Sequence, residues 1–125
     1  MAELKKEVEA LERVVRDYLD GMIFANGEQI RRAFHPDARI IGHFNGRLEW
    51  STLEEFIADC EKAGSAPPNE PYYWEILSAD VTGDMALIKL TDDYLGIRFT
   101  DYLSLLNQDG SWRIVNKTFY AHMAE

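Results

Sequence analysis

The sequence predicts an α+β domain, and two observations carry the prediction. Apolar residues recur at three- and four-residue spacing early in the chain, whereas its second half reads as β-branched and aromatic runs separated by tight turns. The longest of these stretches, Ile97 to Ala121, is a pair of runs on either side of Asn107-Gln108-Asp109-Gly110, and neither face of the pair is plainly polar. A hairpin that is apolar on both sides belongs at the centre of a sheet covered twice, by helices on one face and by another layer or a partner subunit on the other.

Taken in order, Leu4, Val8, Leu11, Val15, Tyr18/Leu19 and Met22 form the stripe of a long amphipathic helix, with Lys5, Lys6, Glu9, Glu12, Arg13, Arg16 and Asp17 on its other side. Asn26-Gly27 supplies a stop. Glu28 to Phe34 make a second helix that ends before Pro36, because the residue preceding a proline is pushed out of the helical region. Arg39 to Phe44 then read as a strand, turned by Asn45-Gly46 into Arg47 to Trp50, with Ile41, His43, Leu48 and Trp50 on one face. Ser51 or Thr52, with Glu54 or Glu55 three residues on, opens a third helix whose buried stripe is Leu53, Phe56, Ile57 and Cys60, ending near Gly64. After the proline-rich loop Ser65 to Pro71 come strands Tyr72 to Val81 and Met85 to Tyr94, then the long hairpin. Helices segregated from a meander imply a strongly bent, mainly antiparallel sheet with three helices over its concave face.

Composition narrows the function. The 125 residues make one domain, 1–125, and a formal charge of −9 repels polyanions, which excludes nucleic acid as a partner. No apolar run is long enough to span a bilayer, and Met1 to Lys6 lead into an acidic helix without a signal-peptide pattern, so no membrane partner is expected. The single cysteine, Cys60, fits a reducing, cytoplasmic setting and sits on a buried helix face, where it reads as inert core. His35, His43 and His122 lie on separate elements and form no ligand grouping, so neither a metal nor a cofactor is expected. The aromatic residues suit a small, flat, mostly apolar or aromatic ligand.

Counting back from a bulged turn closed at Gly110 sets Asp101 opposite Lys117, between the Phe99/Phe119 and Leu103/Val115 pairs, with Leu105 opposite Arg113. The other face then carries Leu106/Trp112, Ser104/Ile114, Tyr102/Asn116 and Thr100/Thr118. A carboxylate and an ammonium among those apolar neighbours are either a desolvated functional pair or a cross-strand ion pair that fixes register. On this reading the pocket is bounded by the first helix, the first hairpin and the closing hairpin. Its expected ligand-binding residues are Tyr18, His43, Trp50, Asp101, Lys117 and Phe119.

Several stretches carry a family likeness: Val14-Val15-Arg16-Asp17-Tyr18-Leu19, Ala33-Phe34-His35-Pro36-Asp37-Ala38, Gly83-Asp84-Met85-Ala86 and Asp109-Gly110-Ser111-Trp112-Arg113-Ile114. Together they resemble the nuclear transport factor 2-like superfamily over nearly the whole chain. Asp101 to Leu106 followed by Trp112 to Phe119 looks most like its putative lumazine-binding, SnoaL-like branch. The resemblance implies a cone-shaped half-barrel, a pocket between helices and sheet, and a homodimer through the outer sheet face. It implies no single reaction, since the superfamily spans isomerases, dehydratases, polyketide cyclases and non-catalytic binders. Tyr18 stands where the similar ketosteroid isomerases carry an oxyanion-hole tyrosine, but the general-base position falls on Gly42. His43 is adjacent and could substitute, as a histidine serves in the similar scytalone dehydratases, although one residue along a strand reverses the face. The expected function is therefore small-molecule binding, with cofactor-free proton-transfer catalysis by His43 or Asp101 and Tyr18 as the alternative.

Overall fold

The computed structural model describes residues 2–123, with side chains from residue 5 onward. Helix α1, Ala2–Ile23, turns Leu11, Val15, Tyr18, Leu19 and Met22 into the core. Val8 is 43% exposed, and the side chain of Leu4 lies outside the described residues. The chain reverses at Ala25, held in the left-handed region. Asn26 does not end α1: its side chain accepts a hydrogen bond from the Gln29 amide and so starts α2, Gly27–Ala33. Strand β1, Phe34–Phe44, follows at once, so His35 and His43 share one element.

Asn45-Gly46, both at positive φ, turn β1 into β2, Arg47–Thr52. Thr52 and Glu55 then form the capping box of α3, Leu53–Ala63, which ends at Gly64. Strands β3, Trp74–Thr82, β4, Met85–Tyr94, β5, Ile97–Gln108, and β6, Ser111–His122, complete a six-stranded sheet in the order β2-β1-β6-β5-β4-β3. All neighbours are antiparallel except β1 and β6, which run parallel, and the sheet stays open between β2 and β3. The result is an α+β half-barrel with the long hairpin at its centre.

The register of that hairpin differs from the expected one in two places. Asp109 and Gly110 both have positive φ, so the turn has two residues and Gln108 faces Ser111. Near the turn every pairing is therefore displaced by one: Leu105 faces Ile114 and Leu106 faces Arg113. Val115 is then left out of the ladder as a bulge, and beyond it Ser104 faces Asn116, Leu103 faces Lys117 and Asp101 faces Phe119. Two displacements of one residue restore the original parity. Asp101 and Lys117 thus share the inner face as diagonal neighbours, not as opposite partners, while Trp112 and Ile114 join Leu105 on that same face.

Candidate functional site

Alternation along the central strands decides what points inward. Strand β4 buries Ala86, Ile88, Leu90 and Asp92, β5 buries Leu105, Leu103 and Asp101, and β6 buries Trp112, Ile114 and, after the bulge, Lys117. Apolar residues fill the end of this face nearest the Asp109-Gly110 turn. Ionisable ones occupy the other end, against Tyr18 of α1.

Tyr18 is fully buried, and its hydroxyl donates to Asp101 Oδ2 at 2.6 Å. Its ring packs edge-on to Phe34 at 5.4 Å. Burial above all, with the neighbouring Asp101 charge, holds the phenol well above its ordinary range. Asp101 Oδ1 has no partner, and burial raises this carboxyl against the opposing pull of Lys117 and the Tyr18 hydrogen bond. The Lys117 ammonium lies over the rings of Phe56, Tyr18 and Phe119 at 4.6, 4.8 and 5.4 Å.

Asp92, absent from the expected site, is the least compensated group in the cluster. It is 0% exposed, neither carboxylate oxygen has a partner, and burial with the nearby Asp101 charge pushes it up to about 7. A signal for it exists in the sequence: Ala86, Ile88, Leu90 and Asp92 follow a strict period of two, which assigns Asp92 to the buried face.

Beside this cluster opens a cavity of about 260 Å³, lined by Phe44, Phe56, Tyr94, Phe99, Phe119, Lys117 and Cys60, with Glu49 and Asp59 also on its wall. Phe44 and Phe99 stack nearly parallel at 6.1 Å, and Phe119 meets Phe99 edge-on at 6.1 Å. Helix α3 and the first hairpin bound it together with the closing strands; α1, the expected wall, contributes none of its lining. Burial lifts the Cys60 thiol to about 11, which leaves it mostly protonated at neutral pH. A larger cleft, about 420 Å³, lies near the other end and is lined by His35, Asp37, Asp84 and Arg113, but among the described residues the buried side-chain polar atoms without partners belong to Asp92 and Asp101.

Of the six expected residues, Tyr18, Asp101, Lys117 and Phe119 come together here. His43 and Trp50 do not. They lie on the outer face of β1 and β2, where Trp50 is 65% exposed, because Ile40, Gly42 and Phe44 take the inward positions. Gly42 has no room for a side chain: a Cβ there would sit 2.6 Å from the Phe119 carbonyl oxygen and 2.8 Å from its ring. The inward position that the isomerase likeness reserves for a carboxylate is therefore covered by Phe119. Among the described residues no group of three or more His, Cys, Asp or Glu is arranged to hold a metal.

A family model described as "Putative lumazine-binding" matches residues 6–120. The chain belongs to that family. An NTF-2 like protein of unknown function from Silicibacter pomeroyi is 34% identical, with a TM-score of 0.90 over 95% of this chain and 98% of that one. An NTF2-like protein of unknown function from Shewanella baltica is 26% identical, with a TM-score of 0.84 over 95% and 96% of the two chains. A protein of a Cladobotryum species described as aldolase FrzH is 19% identical over 105 residues, covering 84% of this chain and 83% of its own. The fold is that of the nuclear transport factor 2-like superfamily. Among the described residues no helix is long and apolar enough to cross a membrane.

Proposed function

We propose that this member of the family binds a small, flat, mostly aromatic molecule in the cavity between α3 and the inner face of the sheet. The observation that carries the reading is the cavity wall: five aromatic rings, Phe44, Phe56, Tyr94, Phe99 and Phe119, with Lys117 as the member of the buried polar cluster that reaches the lining. Native mass spectrometry of the purified protein tests it, with a co-purifying aromatic adduct expected. Ala63 lines the cavity and is exposed, so Ala63→Trp should exclude the adduct while leaving the fold intact. An adduct retained in Ala63→Trp would remove this cavity from consideration.

One observation favours a second reading, proton-transfer catalysis without a cofactor. Asp92 is buried and unpartnered behind the cavity lining, and burial raises it to about 7, the range in which a carboxylate serves as a general base once a substrate reaches it. The likeness to a protein described as an aldolase supports it, since aldol chemistry begins by taking a proton from beside a carbonyl. A rate rising through about pH 7 and abolished in Asp92→Asn would establish this reading. Steroid-type double-bond isomerisation is expected to be absent, because Phe119 covers Gly42.

A homodimer through the outer sheet face also belongs to the proposal. Trp50, Leu87, Tyr102, Leu106 and Tyr120 are exposed there. Sedimentation velocity at micromolar concentration should return the dimer mass, and a monomer would overturn it.

A further inference from the structure

We infer that the cavity selects a planar aromatic or conjugated carboxylate, and that Lys117 binds its anionic oxygen. This rests on the cavity being the ligand site, and it adds the ligand's chemical class. Lys117 is 5% exposed and lines the cavity, yet among the described residues it enters no salt bridge and no side-chain hydrogen bond. An ammonium carries three N–H donors and no acceptor, and when buried it needs acceptors. The three rings around it, Phe56, Tyr18 and Phe119, offset part of its lost hydration through their π faces but provide no oxygen. A ligand oxygen entering between those rings would complete the set.

The charges facing Lys117 leave it free to do this. Asp101, its diagonal neighbour on β5, is already hydrogen-bonded to Tyr18, and among the described residues neither it nor Asp92 of β4 comes within salt-bridge distance of the Lys117 ammonium. From α3 and the first hairpin come Asp59 and Glu49, both exposed, where water and salt screen them. The neighbouring thiol of Cys60 is mostly protonated at neutral pH. Selection for an anion is therefore made inside the cavity, against a chain whose overall charge of −9 would repel it at long range. Shape supplies the other half of the inference. The nearly parallel Phe44 and Phe99 rings and the edge-on Phe119 give flat walls, and about 260 Å³ holds one or two fused rings.

Calorimetry with 2-naphthoate, 2-naphthamide and octanoate at pH 7.5 tests both halves, using the wild-type chain, Lys117→Met and Ala63→Trp. Naphthoate should bind at least about tenfold more tightly than naphthamide, Lys117→Met should erase the difference, and octanoate should bind more weakly than naphthoate. In lysine-labelled wild-type protein the Lys117 ammonium nitrogen resonance should shift with naphthoate and not with the amide, a readout that holds even if Lys117→Met fails to fold. Equal binding of naphthoate and naphthamide would overturn the carboxylate and leave the binding function standing. Octanoate binding as tightly as naphthoate would overturn planarity alone. No binding by any probe, or undiminished binding in Ala63→Trp, would overturn this inference and the proposed function together.

Discussion

The inner face of one hairpin holds two different interiors. Toward the Asp109-Gly110 turn, Leu105, Trp112 and Ile114 pack with Leu11 of α1 and with Ala86 and Ile88 of β4, and every buried group there is apolar. Toward the other end the same two strands present Asp101 and Lys117, with Asp92 alongside on β4 and Tyr18 above, next to a cavity. The first interior is what a core needs for stability. The second contains three unpartnered carboxylate oxygens, which a sequence selected for stability alone would replace with apolar side chains. Groups that weaken the fold and adjoin a cavity point to function.

That contrast can be broken or sharpened by substitution. Leu105→Ala should have the largest effect, lowering stability by about 2–5 kcal/mol through lost burial and a residual cavity, read from denaturant unfolding at fixed protein concentration. A loss below about 1 kcal/mol would mean that the apolar end is not the seat of stability.

Asp92→Asn should act in the opposite direction. The unfolded chain releases this proton near 3.8 and the folded chain at about 7, so the native state binds it more tightly. Asp92 therefore favours folding most below about pH 4. That contribution declines as pH rises to about 7, and beyond it the buried charge is a fixed penalty. The substitution should add about 2–4 kcal/mol of stability at pH 8 and almost nothing near pH 4. A pH series of unfolding curves checks it; a variant less stable than wild type at pH 8 would show that the Asp92 carboxylate has a compensating partner.

A smaller loss, about 1–3 kcal/mol, is expected for Tyr18→Phe, which removes the single hydrogen bond made to Asp101 and leaves both its oxygens without a donor. Calorimetric unfolding should also show the deficit shrinking in Asp101→Asn, because the two groups act as a pair.

Thr52→Ala should cost least, about 1 kcal/mol, by removing the cap of α3. Because α3 covers the cavity end, hydrogen exchange should quicken around Phe56 and Cys60 while the amides of Leu105 and Ile114 keep their protection. Equal loosening at both ends would mean that the two interiors open as one unit.

The sequence by itself determined the order of helices and strands, the Asn45-Gly46 turn, a capping box opening at Ser51 or Thr52 and the central position of the long hairpin. Each rests on local chemistry or on periodicity that a linear reading can count. It also marked Tyr18 through the superfamily likeness, Asp101 and Lys117 as ionisable residues inside apolar alternation, and Phe119 as their apolar neighbour. Only the tertiary structure decided how those residues meet. The Asp109-Gly110 turn and the bulge at Val115 each displace the ladder by one residue, and a displacement of one exchanges the two faces, so Asp101 and Lys117 share the interior only because the second restores what the first reversed. The same faces took His43 and Trp50 outward, where strand alternation alone leaves in and out undefined until the sheet acquires helices on one side. Asp92 acquired its unpaired state in the same way: solvation and partners are properties of what surrounds a side chain, and its surroundings come from the adjoining β5 and from β3 and α1, which are farther off in the chain.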